Sequence, residues 1–231
     1  MPRVKHLYMG GQPFVSLCGE AQEDTPSKQL ESIVQGCWKA LDELGLCETD
    51  VVFTRLWMGD RSSTEGLSGA RERLLRGRAR AASSSFYSAD HIVSGSGIAL
   101  EMLAFRAESP SSRRLVDFSP PRRYAHYMMQ DGWLFLSGMA EEGDSLDDQF
   151  TRSLTQVSLA LEQEQGSWRD VVKTTLFLEK GQGSREWLQQ RFISSVSPRS
   201  PQFSIEMVDG LATTSKHLEI EIIADLRKHH L

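Results

Sequence analysis

Two glutamates lie two residues apart within an otherwise apolar segment near the end of the chain, where residues 218–224 have the sequence Leu-Glu-Ile-Glu-Ile-Ile-Ala. Side chains of a β-strand alternate between two faces, so Glu219 and Glu221 share one face and Leu218, Ile220 and Ile222 share the other. If the polar face lines a pocket, the paired carboxylates raise the pKa of one of them and favour general acid or base chemistry. If that face meets solvent, both are ordinary surface glutamates.

An earlier copy of this segment distinguishes the two acids. Residues 98–104 lie 120 positions upstream and have the sequence Ile-Ala-Leu-Glu-Met-Leu-Ala, so Glu221 corresponds to Glu101 and Glu219 corresponds to Ala99. An acid kept in both copies is expected to be structural, and an acid kept in one copy is the better candidate for catalysis. The comparison favours Glu219.

The repeat covers most of the chain. Residues 50–56 (Asp-Val-Val-Phe-Thr-Arg-Leu) return at the same spacing as residues 170–176 (Asp-Val-Val-Lys-Thr-Thr-Leu). Two copies of one domain are therefore expected. We predict domains at 1–107 and 119–231, joined by a linker at 108–118 that begins with the sequence Glu-Ser-Pro-Ser-Ser-Arg-Arg.

Each half has the same predicted order of elements, and Thr25 and Ser145 are candidate N-caps of the first helix in each. The first half is expected to form strands at 14–17, 51–58 and 98–105 and helices at 26–44 and 67–76. The second half is expected to form strands at 133–136, 171–178 and 218–224 and helices at 146–165 and 185–192. This mixture predicts the α+β class, with a mixed sheet and two helices on one of its faces in each domain.

The composition excludes several classes of protein. Hydrophobic residues make up 39% and charged residues 25% of the 231 residues, which is typical of a soluble globular protein. No apolar run approaches the roughly 20 residues of a membrane-spanning helix, and no signal-peptide pattern follows Met1, so a cytoplasmic location is expected. A net charge of -5 argues against binding to nucleic-acid phosphates.

The histidines and cysteines do not form metal-binding patterns. None of the six histidines has HxxxH or HExxH spacing, so we predict no metal site and no cofactor. Three cysteines without CxxC spacing (Cys18, Cys37 and Cys47) favour reduced thiols over disulfides.

A cluster of arginines is the main exception to the acidic balance. It comprises Arg71, Arg73, Arg76, Arg78 and Arg80. A solvated helix face or a contact between subunits is expected here in preference to nucleic-acid binding.

The order and spacing of several motifs in the second half resemble a known family. The motifs are Tyr124 thirteen residues before Ser137-Gly138, Gly166 followed by residues 170–175, Phe192 near the end of the second helix, and residues 218–224. From about Tyr124 to Ala224, the chain resembles the YjgF/Rid family of reactive-intermediate deaminases, which have a chorismate-mutase-like fold. The resemblance implies two tandem domains of that fold.

The resemblance also implies an activity. Family members typically form trimers with a ligand pocket between adjacent domains, so a homo-oligomer, trimeric or dimeric, is expected. Active members hydrolyse enamines or imines such as 2-aminoacrylate to a 2-keto acid and ammonia. By position, Glu219 matches the acid that positions water, Tyr124 matches the pocket tyrosine, and Ser137 and Gly138 match the substrate-binding turn.

The arginine that binds the substrate carboxylate in the family does not carry over. Gln202, just before the strand at 204–207, occupies its position. A glutamine lacks the charge and the fork geometry that pair with a carboxylate. Arg199, three residues upstream, substitutes for it if the loop 197–201 curls inward and otherwise faces solvent. Both residues are candidate substrate-binding groups.

The first half departs further from the family, because Cys18 stands in place of the serine and Ala99 in place of the acid. Cys18 has no histidine adjacent in sequence to activate it, and a buried small residue is its more common role.

Three functions are compatible with these residues. The leading hypothesis is a deaminase or hydrolase acting on an enamine or imine carboxylate, with Glu219 as general base and Tyr124 as an orienting donor. The second is a chorismate-hydrolysing enzyme of related tandem architecture, whose larger and more acidic substrate residues 122–126 would suit. The third is a regulatory module that binds a small ligand without chemistry.

Overall fold

Two six-stranded sheets, each with two helices, make up the computed structural model, which describes residues 1–61, 66–93, 95–109, 112–122, 124–196 and 201–227. The strands are β1 (Arg3–Met9), β2 (Gln12–Glu20), β3 (Val51–Met58), β4 (Ala82–Tyr87), β5 (Ile98–Ala104), β6 (Arg114–Asp117), β7 (Ala125–Gln130), β8 (Trp133–Met139), β9 (Val171–Glu179), β10 (Phe203–Val208), β11 (Gly210–Leu211) and β12 (Leu218–Asp225). The helices are α1 (Pro26–Glu43), α2 (Leu67–Leu74), α3 (Leu146–Gln163) and α4 (Arg185–Val196).

The two sheets have the same topology. Their strand orders are β1-β2-β5-β3-β4-β11 and β10-β9-β12-β8-β7-β6. The pairs β3–β4 and β9–β10 are parallel, while the other described pairs are antiparallel. The predicted α+β class and the tandem arrangement are confirmed. The symmetry is broken at the edges, because β11 of the second half extends the sheet of the first.

The long helices begin at the predicted caps. Thr25 Oγ1 accepts a hydrogen bond from the Lys28 amide at 3.4 Å, and Ser145 Oγ accepts one from the Asp148 amide at 3.2 Å. Gly45 follows α1 with a φ of +68°, a conformation that glycine adopts without strain. Within the described parts of the chain, no helix is long and apolar enough to cross a membrane.

Each half has an apolar core between its sheet and its helices. In the first half, α1 buries Leu30, Val34 and Leu41 against the sheet. In the second half, α3 buries Phe150 and Leu161 in the corresponding way. Because these side chains recur at helical spacing, the sequence pattern was sufficient to predict both helices.

Five strands were not predicted from the sequence, namely β1, β4, β6, β7 and the two-residue β11. Most side chains of the edge strand β1 are exposed, so it lacks the apolar alternation of a half-buried strand. β6 lies within the predicted linker 108–118 and pairs with β7, so the second half of that segment is part of the second sheet.

An apolar cluster joins the two halves. The rings of Phe86 and Phe177, one from each half, stack with centroids 3.8 Å apart, and Trp57 packs on both. Aromatic pairs of this kind contribute about 0.5–1.5 kcal/mol beyond the area that they bury. This cluster and the crossing strand β11 fix the second half against the first.

Candidate functional site

The predicted alternation along β12 is present in the structure. Leu218, Ile220 and Ile222 lie in the core beneath the helices of the second half. Glu219 and Glu221 lie on the opposite face of the sheet, where both side chains are buried. That face meets the first half of the chain instead of solvent.

Glu221 is held by residues of the first half. The Arg55 guanidinium donates two hydrogen bonds to the Glu221 carboxylate and one to Glu101, and the Ser84 hydroxyl donates another to Glu221. Burial by itself lowers the pKa of Arg55, but the two carboxylates outweigh it and raise the pKa, so the guanidinium stays charged. Glu101 and Glu221, the pair of corresponding acids, therefore share one arginine at the junction.

A β-bulge makes room for Glu219. The register of β8 against β12 shifts by one residue between Ile220 and Ile222, which leaves Ser137 and Gly138 together opposite Glu221. A bulge of this kind changes the direction of the side chains around it and often lies next to a functional site. The corresponding pair in the first half, β2 with β5, has a continuous register.

The carboxyl group of Glu219 packs directly on Gly138. A Cβ at position 138 would overlap that carboxyl group, so only glycine leaves space for it. Oε1 of Glu219 has no hydrogen-bond partner among the described residues. Burial and then the neighbouring Glu221 raise the pKa of Glu219 well above its usual value, against the opposing charges of Arg55 and Lys216. Burial and the charge of Glu221 therefore favour the protonated form of Glu219.

A cavity of about 560 Å³ lies between the two halves, with Glu219 in its wall. Its size is within the range of small-molecule pockets. The first half contributes parts of β3, β4 and α2, and the second half contributes residues around β8 and the segment before β12. The charged and phenolic side chains in the wall are Arg71, Glu72, Arg80, Tyr87, Arg122, Tyr124, Lys216 and Glu219. Four of these are basic and two are acidic, so the wall favours an anionic ligand.

Tyr124 lines the cavity. Its hydroxyl accepts a hydrogen bond of 3.3 Å from the Arg122 guanidinium, which also lies over the Phe118 ring. The Tyr124 ring makes an edge contact with Phe118. His126, which the sequence grouped with Arg122, stacks on Phe118 and is not in the cavity wall.

Ser137 and Gly138 have different surroundings. Gly138 is in the cavity wall, next to Glu219. The Ser137 hydroxyl donates to the Ala125 carbonyl at 2.7 Å and accepts from the Ser83 amide at 2.9 Å. Because the Ser137 side chain is fully buried at the junction of the halves, its observed contacts join strands and do not reach the cavity.

Of the two candidates for the substrate-binding arginine position, Gln202 is described by the structure, and it does not line the cavity. Gln202 is exposed at the start of β10, where its carbonyl accepts a hydrogen bond from the Thr174 amide. Arg199 lies outside the described residues.

The interpretation of the arginine cluster as solvated or intersubunit is wrong for two of its members. Arg71 is partly buried and donates hydrogen bonds within the first half, and it lines the cavity. Arg80 pairs with Asp117 of the second half. Arg73, Arg76 and Arg78 are exposed, as expected. The sequence contains an indication of this that was missed. Arg71 lies at helical spacing from Leu67 and Leu74, and therefore on the side of α2 that carries the apolar residues.

The cysteines are free thiols. Burial raises the pKa of the Cys18 thiol, and Arg3, which donates a weak hydrogen bond to it at 3.5 Å, only partly opposes that effect. A protonated thiol is a poor nucleophile. Among the described residues, no group of three or more His, Cys, Asp or Glu side chains is arranged to hold a metal ion.

Comparison with known proteins agrees with the repeat. Residues 116–226 match the family model described as endoribonuclease L-PSP. Rv2704 from Mycobacterium tuberculosis, a YjgF-family member, is 22% identical over 49% of this chain and 99% of its own, with a TM-score of 0.44. NMB1025 from Neisseria meningitidis, also a YjgF-family member, is 25% identical over 50% of this chain and 95% of its own, with a TM-score of 0.44.

A chorismatase structure matches both halves together. It is 14% identical, covers 96% of this chain and 79% of its own, and has a TM-score of 0.64, which shows a shared fold. No curated protein matches the chain. Residues 116–226, which make up the second half of the chain, belong to the endoribonuclease L-PSP family, also called YjgF/Rid, and the chorismatase shares the fold of both halves together.

Proposed function

We propose that the protein hydrolyses a small anionic 2-substituted acrylate, either an enamine or an enol ether, to a 2-keto acid. The observation that carries this proposal is the carboxyl group of Glu219. It is buried in the wall of a cavity, has a pKa raised well above its ordinary value, and has one oxygen without a hydrogen-bond partner among the described residues. A positioned acid of raised pKa is the group that proton transfer to a substrate requires.

The chemistry begins at the terminal carbon of the substrate. Glu219 donates its proton there, the π electrons of the C=C bond form the new C–H bond, and the substituted carbon becomes an iminium or oxocarbenium centre. Water adds to that centre and loses a proton to the Glu219 carboxylate. In the collapse of the adduct, its hydroxyl proton passes to the leaving nitrogen or oxygen, the C=O bond forms, and the C–N or C–O bond breaks to release ammonia or an alcohol. In total, the acrylate and one water give the keto acid and the leaving group.

The charges of the cavity wall support the anionic character of this substrate. Arg71, Arg122 and Lys216 all line the cavity, and no salt bridge joins any of them to a described carboxylate. A carboxylate substrate supplies the missing negative charge. Tyr124, beside Arg122 in the wall, is the proposed orienting donor.

The role of Glu219 is thus refined from the sequence-based hypothesis. A general base must be ionised to accept a proton, whereas burial raises the pKa of this carboxyl group and favours its protonated form before the reaction. Glu219 is expected to act first as an acid and then, once ionised, as the base that receives a proton from water.

Two observations favour a second candidate, hydrolysis of chorismate, which carries an enol ether of the same kind. The cavity volume of about 560 Å³ leaves space for a ring in addition to the acrylate group. A chorismatase also shares the fold over 96% of this chain. Both candidates use the same proton transfer, so the substituent on the acrylate distinguishes them.

The test compares two substrates and two isosteric variants. Keto-acid release is measured with 2-aminoacrylate, generated in place by a dehydratase, and separately with chorismate. Glu219→Gln is expected to lower turnover about 10²–10⁴-fold, because it removes the transferable proton and keeps the shape of the side chain. Glu186→Gln, at an exposed position of α4, serves as the control and is expected to leave turnover unchanged.

Full turnover by a folded Glu219→Gln variant would overturn the proposal. Absence of keto-acid release from both substrates with the unmodified protein would also contradict it, and would favour the binding module.

A further inference from the structure

Arg71 occupies a position that an apolar residue would normally take. In α2, Leu67 and Arg71 are four residues apart on the side of the helix that faces the sheet. In α4, Leu188 and Phe192 have the same spacing, and both are fully buried. The first half therefore has a charged side chain in a stripe that is apolar in the second.

The hydrogen bonds of Arg71 involve neutral acceptors. One terminal nitrogen donates to the Ser84 carbonyl at 3.0 Å and to the Ser85 hydroxyl at 2.6 Å. The other donates to the Thr54 carbonyl at 3.2 Å and to the Thr54 hydroxyl at 2.8 Å. Among the described residues, no carboxylate lies within ion-pair distance of this guanidinium, and its Nε–H group is not used in these four bonds.

The charge of Arg71 is therefore not neutralised locally. Burial lowers the pKa of Arg71 to about 10, and Glu219, on the same cavity, opposes this effect. A guanidinium with a pKa of about 10 is charged at neutral pH, whereas the raised pKa of Glu219 favours its uncharged form. A partly buried cation without a counter-charge is costly, and an anion bound in the cavity offsets that cost.

The two hydroxyl groups beside Arg71 can donate hydrogen bonds to such an anion. Thr54 and Ser85 accept hydrogen bonds from Arg71 through their oxygens, which leaves each O–H free to donate. Both residues line the cavity, and no described protein acceptor receives a hydrogen bond from either hydroxyl. One N–H group of Arg71 and the two O–H groups are thus not used in these hydrogen bonds, and all three residues line the cavity.

We infer that Arg71, Thr54 and Ser85 form the binding site for the substrate carboxylate, so that the first half of the chain binds the substrate and the second half supplies its proton. This inference rests on the proposed function for the identity of the substrate. It also places the carboxylate-binding arginine on α2 of the opposite half, instead of near Gln202 or Arg199 within the second half.

The test measures binding without turnover. The probes are methacrylate, an unreactive carboxylate with the same terminal C=CH₂ group, and methacrylamide, its neutral counterpart. Dissociation constants are measured by NMR titration of the full chain. The unmodified protein is expected to bind methacrylate about tenfold or more tightly than methacrylamide, because a charge-assisted hydrogen bond is stronger than a neutral one.

The variants identify the source of this preference. Arg71→Met is expected to abolish the preference for methacrylate, whereas Arg71→Lys keeps part of it because the charge is retained. Ser85→Ala is expected to weaken methacrylate binding several-fold. Arg73→Met, at an exposed position of the same helix, is the matched control and is expected to bind both probes as the unmodified protein does.

The inference is overturned if the unmodified protein does not prefer methacrylate, or if a folded Arg71→Met variant keeps the preference. Should Arg71→Met fail to fold, the inference is overturned by an Arg71→Lys or a Ser85→Ala variant that binds methacrylate as the unmodified protein does. Binding is measured again in Glu219→Gln, where the preference is expected to persist. If Glu219→Gln keeps full turnover while the Arg71 variants lose binding, the proposed function fails and the carboxylate site stands.

Discussion

The strands β5 and β12 have similar sequences and corresponding places in their sheets, yet of the two only β12 contributes a side chain to the wall of the cavity of about 560 Å³. Ala99 on β5 is fully buried with Trp57 and Phe86 in the apolar cluster at the junction. Glu219, its counterpart on β12, lies in the cavity wall. The neighbouring strands also differ, because β8 has a bulge opposite Glu221, at the glycine that contacts Glu219, whereas β2 pairs with β5 in a continuous register.

This comparison shows how the two copies of a duplicated domain can come to have different roles. The pair Glu101 and Glu221 is kept in both halves and binds one shared arginine, so it serves the junction. At the position of Glu219 the two halves differ. The second half has an acid there, in the cavity wall, and the first half has Ala99 in the apolar cluster. The first half has lost the acid but contributes Arg71 to the wall of the same cavity.

The largest expected effect follows from closing the space that the bulge opens. Gly138→Ala places a methyl group where the Glu219 carboxyl lies, so turnover is expected to fall about 100-fold or more. Gly19→Ala is the matched variant in the first half, where the new methyl group would meet Ile33 of α1. It is expected to cost about 1–3 kcal/mol of unfolding free energy and to leave turnover intact.

Steady-state kinetics and urea unfolding of the two variants measure both effects. Equal losses of turnover in Gly138→Ala and Gly19→Ala would show that the bulge has no special role.

A smaller effect is expected when the acid is restored to the first half. Ala99→Glu inserts a carboxyl group among Trp57 and Phe86, where no cavity receives it. An uncompensated buried charge is expected to lower the free energy of unfolding by about 3–5 kcal/mol. Ala99→Gln has nearly the same volume without the charge and separates the two contributions. An Ala99→Glu variant as stable as the unmodified protein would contradict the different environments of β5 and β12.

The two shared acids are expected to differ in their contribution to stability. The Glu221 side chain is 5% exposed, and that of Glu101 is 31% exposed. Glu221→Gln is expected to lower the free energy of unfolding by about 3 kcal/mol, because it weakens a buried ion pair. Glu101→Gln is expected to cost about 1 kcal/mol, because solvent screens its pair with Arg55. The reverse order in urea unfolding would show that Glu101 is the main anchor of the arginine.

The smallest effect concerns the dependence of stability on pH. The pKa of Glu219 is raised in the folded protein, so between its ordinary value of 4.5 and the folded value the native state binds more protons than the unfolded state. Stability is therefore lost as the pH rises through that window. Glu219→Gln removes this loss, so its stability relative to the unmodified protein is expected to increase from pH 4 to pH 8. A constant difference across that range in urea unfolding would contradict the raised pKa, with Glu186→Gln as the control.

Much of the fold could be predicted from the sequence because the buried strands are recognisable as runs of apolar residues. β3, β9 and β12 are apolar over most of their length, and the helices α1 and α3 combine apolar stripes with N-caps. Strands at the sheet edges, such as β1, and the serine-rich β4 lack that signal. The prediction therefore missed them, although the tandem α+β architecture was right.

The site could be predicted only in part. Glu219 and Tyr124 were identified from the second half, and both line the cavity. Arg71 was not predicted, because the arginine was expected within the same copy as the acid. The wall of the cavity contains residues of both copies. A repeat shows which residues correspond, but it does not show which surfaces of the two domains meet.

The most direct test of the account is the protonation state of Glu219 in the unliganded protein. Infrared difference spectroscopy between the unmodified protein and Glu219→Gln at pH 7 isolates the signal of this one carboxyl group. The account predicts the C=O stretch of a protonated carboxylic acid, because burial and Glu221 disfavour the ionised form. Carboxylate bands without that stretch would show that Glu219 is ionised and would contradict its role as the acid of the second half.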